Sequence, residues 1–197
     1  MVDPTRIAGL VLAGGQSSRF GSNKALARLD GETLAGRMAR LMRRHCGAVA
    51  LSANEALPGL DLPVLSDPSD APAGPLAGVL AGLRWAGSLQ ATWLVTAPCD
   101  TPLLPEDFPA RLVGAAEADG AQAAVIVSGD GVHPLSAAWR VTLLPRLEAA
   151  LAGGHPPVHA FVASLSAAQL HVADEHLLNV NTPADLERAG QLLAKRY

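Results

Sequence analysis

The sequence predicts a single α/β domain spanning residues 1–197, with a mostly parallel sheet covered by helices on both faces. Three observations carry that expectation. Short apolar runs alternate along the chain with amphipathic runs at helical spacing. The apolar runs lack the in–out alternation of a half-solvated strand, as strands buried on both faces do. The 197 residues, 49% of them hydrophobic, are enough for one packed core, and neither an internal repeat nor a linker interrupts them.

The elements follow in order. Ile7–Leu12 (IAGLVL) is a continuous apolar strand, and residues 34–45 repeat apolar side chains at helical spacing. Ala48–Ser52 is again strand-like, and residues 63–66 form a candidate short strand. Residues 75–87 read as a helix with proline in its first turn. A buried-type strand at 92–97 precedes a helix at 106–118. Strands at Ala123–Ser128 and 135–139 lead to a helix at 141–152, and Pro183–Ala194 closes the chain as a helix opened by Thr182 and Pro183. Strands separated by helices in this way give a three-layer, Rossmann-like arrangement.

Composition narrows the function. A net charge of −3 points away from nucleic acid and from membrane surfaces. Arg37, Arg40, Arg43 and Arg44 fall on one predicted helix and read as its solvated face. No apolar run approaches the roughly 20 residues of a membrane span. The start, MVDPTRIAG, carries an acid and a proline where a signal peptide has a basic start and an apolar stretch. Cys46 and Cys99 form neither a CxxC nor a metal-binding spacing, so a cytoplasmic protein without disulfides is expected.

The most informative stretch is LVLAGGQSSRFGSNKAL, residues 10–26. It leaves the first strand at its carboxyl end, the edge where such sheets bind ligands. Gly14 and Gly15 allow close backbone approach, and consecutive N–H groups make an anion nest. Arg19 offers a planar fork and Lys24 a mobile point charge, the usual partners of phosphate oxygens. These features describe a triphosphate cradle. It is neither of two better-known phosphate loops: Gly21 is followed by serine, not lysine, and Gly14 and Gly15 are adjacent.

Five further places at predicted strand ends or helix starts stand out. Asp100, in PCDTP after the 92–97 strand, is a carboxylate well placed for the crevice. Triphosphate chemistry needs Mg²⁺, which takes one or two carboxylates plus phosphate oxygens, so Asp100 is the expected metal ligand. Its neighbour Cys99 has no histidine near it in sequence and reads as a small buried side chain. Asn54 and Asp67 end two more strands, where both are also ordinary turn residues. Gly74 and Gly78 flank a helix start. In Asn179-Val180-Asn181-Thr182-Pro183, Thr182 and Pro183 are explained by helix capping, but the asparagines are not. Their spacing puts both amides on one side of an extended segment, able to hydrogen-bond a polar acceptor or complete a metal shell. The six histidines form no zinc site, and Pro156-Pro157 argues against a helix pairing His155 with His159.

LAGGxxxRxGxxK resembles the signature of nucleotidyltransferases that join a nucleoside monophosphate to a phosphorylated acceptor. Five ordered segments make the chain most similar to molybdenum cofactor guanylyltransferases, the MobA family: LAGGQSSRFGSNKAL, LSAN, GPLAG, PCDTP and NVNTPADL. The resemblance covers essentially the whole chain. It implies the three-layer nucleotidyltransferase fold, GTP and molybdenum cofactor (molybdopterin) as substrates, and cofactor-insertion or molybdoenzyme chaperones as partners. It implies nucleotide contacts from Leu12, Ala13, Gly14, Gly15, Arg19, Lys24, Asn54, Asp67, Gly74, Gly78 and Asp100. Arg19, Lys24 and Asp100 would be catalytic, with Mg²⁺ on Asp100. The acceptor site would take Asn179, Asn181 and His133, the last from an HP pair before a strand that closes the site. Two departures stand out: Phe20 replaces the family's usual methionine and Asn23 its aspartate. The chief rival is the cytidylyl-transferring relative, whose loop tends to read LAAG with a proline before the lysine and which lacks CDTP. A sugar-phosphate nucleotidyltransferase would normally be longer, and a non-catalytic nucleotide-binding protein would show damage at Asp100 or Lys24, both of which are present.

Overall fold

The computed structural model describes residues 3–14 and 23–195. Gly15 and Arg19 of the predicted cradle lie outside the described residues. In chain order the elements are β1 (Ile7–Leu12), a small hairpin of β2 (Arg28–Leu29) and β3 (Glu32–Thr33), α1 (Leu34–Arg43), β4 (Ala48–Ser52), β5 (Val64–Leu65), α2 (Pro75–Ser88) and β6 (Trp93–Pro98). They continue with α3 (Phe108–Ala118), β7 (Ala123–Ser128), β8 (Gly131–Arg140), α4 (Leu144–Ala152), α5 (Val158–Ser164), β9 (Ala168–His171) and α6 (Pro183–Ala194).

Seven strands form one sheet in the order β5-β4-β1-β6-β8-β7-β9. Only β8 runs against its neighbours, so the sheet is mostly parallel, as the apolar runs predicted. Helices α1 and α3 bury Met38, Leu41, Phe108 and Leu112 against one face. Helices α2, α4 and α5 bury Leu80, Leu83, Leu147 and Phe161 against the other, completing three layers. A smaller cluster of Leu29, Leu34, Leu103, Val180 and Leu193 anchors α6 and the hairpin. Gly9 sits inside β1 because α1 approaches there: a Cβ would lie 3.1 Å from Cys46 Sγ and Met42 Sδ.

The topology creates the crevice. From β1 the chain steps outward to β4 and β5, then returns to β6 on the opposite side of β1. Leu12 lies opposite both Ser52 and Pro98, so β4, β1 and β6 end level. Ligands bind in such sheets at the carboxyl ends beside this reversal.

Several expectations are corrected. Helix α1 stops at Arg43, α3 starts at Phe108, and a 3₁₀ turn over Val141–Leu143 precedes α4. Strand β8 is longer than 135–139, and its register against β7 slips: Val125 faces Ala137 while Ile126 faces His133. Residues 134–136 thus leave the ladder, where Pro134 has no N–H to give it. Helix α5 and edge strand β9 were not anticipated, being too short to show a period. The arginines of α1 and its C-cap are partly or largely exposed, as a solvated face should be, and they also tie the helix to other segments. Arg37 Nε donates to Pro102 O at 2.9 Å and Arg43 Nη2 to Asp61 O at 3.0 Å, while Arg40 pairs with Glu32 and Arg44 with Glu106. Cys46 and Cys99 are free and buried, and no helix among the described residues is long and apolar enough to cross a membrane.

Candidate functional site

A cavity of about 710 Å³ opens at the level ends of β1, β4 and β6, a size that suits a small-molecule site. Leu12, Ala13 and Gly14 reach it from β1, Asn54 from β4 and Asp100 from β6. Asp67, Gly74 and Gly78 form one wall; Lys24, Asn179 and Asn181 form the other. Predicted positions as far apart in sequence as Lys24 and Asn181, separated by 157 residues, therefore meet around one space. His133 does not line it. Its Nε2 lies 2.9 Å from Ser128 Oγ in the β7–β8 hairpin, and burial lowers its pKa. Leu135, two residues on, reaches the cavity instead.

Lys24 is the polar centre. Its Nζ donates to Asp100 Oδ2 at 2.7 Å and to Asn181 Oδ1 at 2.9 Å. The two charged side chains are only 16% and 20% exposed, so salt screens the pair less than an open surface contact. Asn23 places the lysine: its amide oxygen accepts from Ala25 N at 3.1 Å and caps the turn Lys24–Leu26. The departure from aspartate at position 23 thus keeps the cap while dropping the charge.

The Asp100 segment is fixed from four directions. Val180 N donates to Asp100 O at 2.8 Å, and Thr101 Oγ1 donates to Pro98 O at 3.1 Å. Arg37 holds Pro102 O, and His176 Nδ1 donates to Leu103 O at 2.9 Å. Sequence reasoning missed Arg37 and His176 in this role, since they lie 65 and 73 residues from the carbonyls they hold. The helix after this segment starts at Phe108, so Asp100 is not its cap.

The asparagine segment alternates its side chains as its spacing suggested. Val180 is fully buried between Asn179 and Asn181, which both face the cavity. Asp185 Oδ2 accepts from Asn181 N at 3.0 Å, Thr182 N at 2.8 Å and Thr182 Oγ1 at 2.8 Å. Thr182 Oγ1 accepts in turn from Asp185 N, completing a capping box that the T-x-x-D spacing could have revealed. Hydrogen bonds from Thr182 and the Asn181 backbone hold the Asp185 carboxyl below its ordinary pKa. Thr182→Ala should cost about 1 kcal/mol, lowering Tm by about 2–4 °C in a thermal melt. An unchanged Tm would remove the box as an anchor of this segment.

The opposite wall begins α2. Gly74 has φ of 153°, which favours glycine, and no side chain caps the helix. Gly74 and Pro75 line the cavity, so the positive end of this 14-residue helix faces it. Gly78 lets the helix approach β4: a Cβ there would stand 2.7 Å from Ser52 Oγ. The loop carrying Asp67 is tied down by Arg84, whose fork meets Asp70 at 3.1 and 3.0 Å and which also contacts Glu148 of α4. Lost hydration raises the pKa of Asp67. Gly14, by contrast, is not among the glycines with positive φ; it simply leaves the cavity floor open.

Two chemistries can be sorted here. The Cys99 thiol is pushed up to about 12, first by burial and then by the Asp100 carboxylate, against an opposing effect of Lys24. It remains protonated and is a poor nucleophile. Among the described residues no three His, Cys, Asp or Glu side chains gather as a metal cage. The oxygens of Asp100 and Asn181 do converge on one point, now held by the lysine ammonium. One carboxylate and one amide oxygen at the edge of the cavity suit Mg²⁺, which takes few protein oxygens and completes its shell with water or phosphate.

Comparison with known proteins agrees with this architecture. The profile of the MobA-like NTP transferase domain matches residues 9–180. A Cereibacter sphaeroides protein named molybdenum cofactor guanylyltransferase is 45% identical over 195 residues, covering 96% of this chain and 98% of that protein. A Rhodobacter capsulatus protein of the same name is 41% identical over 191 residues, covering 95% and 97%. The crystal structure of molybdopterin-guanine dinucleotide biosynthesis protein A from Archaeoglobus fulgidus superposes with a TM-score of 0.74 at 21% identity, covering 95% of this chain and 99% of that one.

Proposed function

This chain belongs to the MobA-like NTP transferase family, and on that premise we propose that it transfers GMP from GTP to the phosphate of molybdenum cofactor. The products are pyrophosphate and the guanine dinucleotide form of the cofactor. An oxygen of the acceptor phosphate attacks the α-phosphorus of GTP, and the bond from that phosphorus to the oxygen bridging the β-phosphate breaks. The observation that carries this reading is the joining of Lys24, Asp100 and Asn181 in a cavity faced by the start of α2.

Such a reaction asks the protein for positioning and charge stabilisation more than for covalent chemistry. Lys24, together with Arg19 and the Gly14–Gly15 backbone, would hold the triphosphate and its departing pyrophosphate. The start of α2 at Gly74 and Gly78 adds the favourable end of a helix dipole. Asn54 and Asp67 lie on the nucleotide side, where a carboxylate can accept from the adjacent N1–H and N2–H₂ donors of guanine; cytosine offers only its N4–H₂ donor. Asn179 and Asn181 would hold the acceptor phosphate with neutral amides, which adds no negative charge beside it. Asp100, with the Asn181 oxygen beside it, would hold Mg²⁺, which when bound neutralises phosphate charge. The proposal extends to a cytoplasmic setting, where GTP is available, and to cofactor-insertion or molybdoenzyme chaperones as recipients of the product.

The test is pyrophosphate release with molybdenum cofactor and Mg²⁺, comparing GTP, CTP, ATP and UTP. Turnover with GTP alone is expected. A preference for CTP would keep the mechanism and overturn the base assignment, whereas silence with all four would point to another phosphorylated acceptor or to a binding protein.

A further inference from the structure

The Lys24 ammonium stands where the two best oxygen donors of the cavity converge, 2.7 Å from Asp100 Oδ2 and 2.9 Å from Asn181 Oδ1. A divalent ion bound to the same two oxygens and an ammonium bonded to them cannot share that place. Both are cations, and metal–oxygen bonds of about 2.0–2.1 Å would put the ion on the point the ammonium already fills. Resting on the reading of Asp100 as metal ligand, we propose that Lys24 competes with the metal for the Asp100 and Asn181 oxygens and is drawn away from them by the triphosphate. Lysine is suited to the task. Its stem is long and its head is a compact point charge. Asp100 is held through its backbone by Val180 N, and Asn181 through its backbone by Asp185. The backbone that carries the two oxygens therefore stays in place when the ammonium leaves.

The consequence is reciprocal coupling. Triphosphate oxygens supply a new partner for Lys24, so nucleotide binding vacates the metal position and strengthens metal binding. By linkage the metal strengthens nucleotide binding by the same factor.

Mn²⁺ alone, titrated into the nucleotide-free full chain and followed by electron paramagnetic resonance, tests this without turnover. In Lys24→Met the Mn²⁺ Kd should tighten by about tenfold, within the usual span of site-to-site coupling. α,β-Methylene-GTP, which cannot react, should tighten Mn²⁺ binding in the wild type, and that enhancement should shrink in Lys24→Met. Lys24→Gln gives a second variant, and far-UV circular dichroism with a thermal melt shows that each is folded. Lys195→Met, which removes a charge from the exposed end of α6, should leave Mn²⁺ affinity unchanged. Unchanged or weaker Mn²⁺ binding in both Lys24 variants would overturn the proposal, as would equal tightening in Lys195→Met. So would Mn²⁺ binding that survives Asp100→Asn in the Lys24→Met background. Guanylyl transfer is read separately by pyrophosphate release, so its failure and the failure of the Mn²⁺ result are distinguishable.

Discussion

Asp100→Ala should abolish transfer and leave the fold standing, with single-turnover pyrophosphate release falling by at least about a thousandfold. The structure separates the two effects. The contact that secures the segment, Val180 N to Asp100 O, belongs to the backbone and survives the substitution. Thr101, Arg37 and His176 continue to hold the carbonyls around it. What disappears is the carboxylate that meets Lys24 at 2.7 Å. The Lys24 ammonium keeps Asn181 Oδ1 at 2.9 Å and opens on the cavity, where water can reach it, so Tm should shift by a few degrees at most. The loss of the carboxylate from the reacting centre is different in kind, because the phosphates lose the group that would hold their counter-ion. Circular dichroism, a thermal melt and Mg²⁺-dependent turnover together make the check. Normal turnover with Mg²⁺ would remove Asp100 from the centre of the site.

What the sequence revealed, and what it hid, follows from the range of each interaction. Strand ends were legible because β1 and β6 are short continuous apolar runs that stop abruptly at polar or glycine residues. Once those ends are known, a parallel sheet with a reversal beside β1 brings Gly14, Asn54 and Asp100 to one place. Asn179 and Asn181 were legible from alternation, since Val180 between them had to point into the core. The corrections concern features with no local period. Strand β8 changes register at Pro134, and helix α5 has only seven residues after two prolines. The ties that the arginines of α1 make were hidden because their partners, Pro102 O and Asp61 O among them, are carbonyls in distant loops. His176 was invisible for the same reason. Residues that touch the cavity could be found from motif and pattern; those that hold them in place needed the tertiary structure.

Lys24→Ala should damage binding and chemistry together, raising KM for GTP and lowering kcat so that kcat/KM falls by about a hundred- to a thousandfold. Lysine would meet phosphate in the ground state and the greater charge on departing pyrophosphate in the transition state, so one deletion affects both constants. Lys24→Arg should not restore activity. A guanidinium is planar and forked and cannot serve as the compact point charge that moves between the two converging oxygens, 2.7 and 2.9 Å away, and the triphosphate. The pair should also act as a unit: Lys24→Ala combined with Asp100→Ala should cost little more than Asp100→Ala alone. Steady-state kinetics of the two single variants and the double variant give that comparison directly. Unchanged GTP affinity in Lys24→Ala would count against the cradle, and fully additive losses would mean that the lysine and the carboxylate act on the phosphates independently.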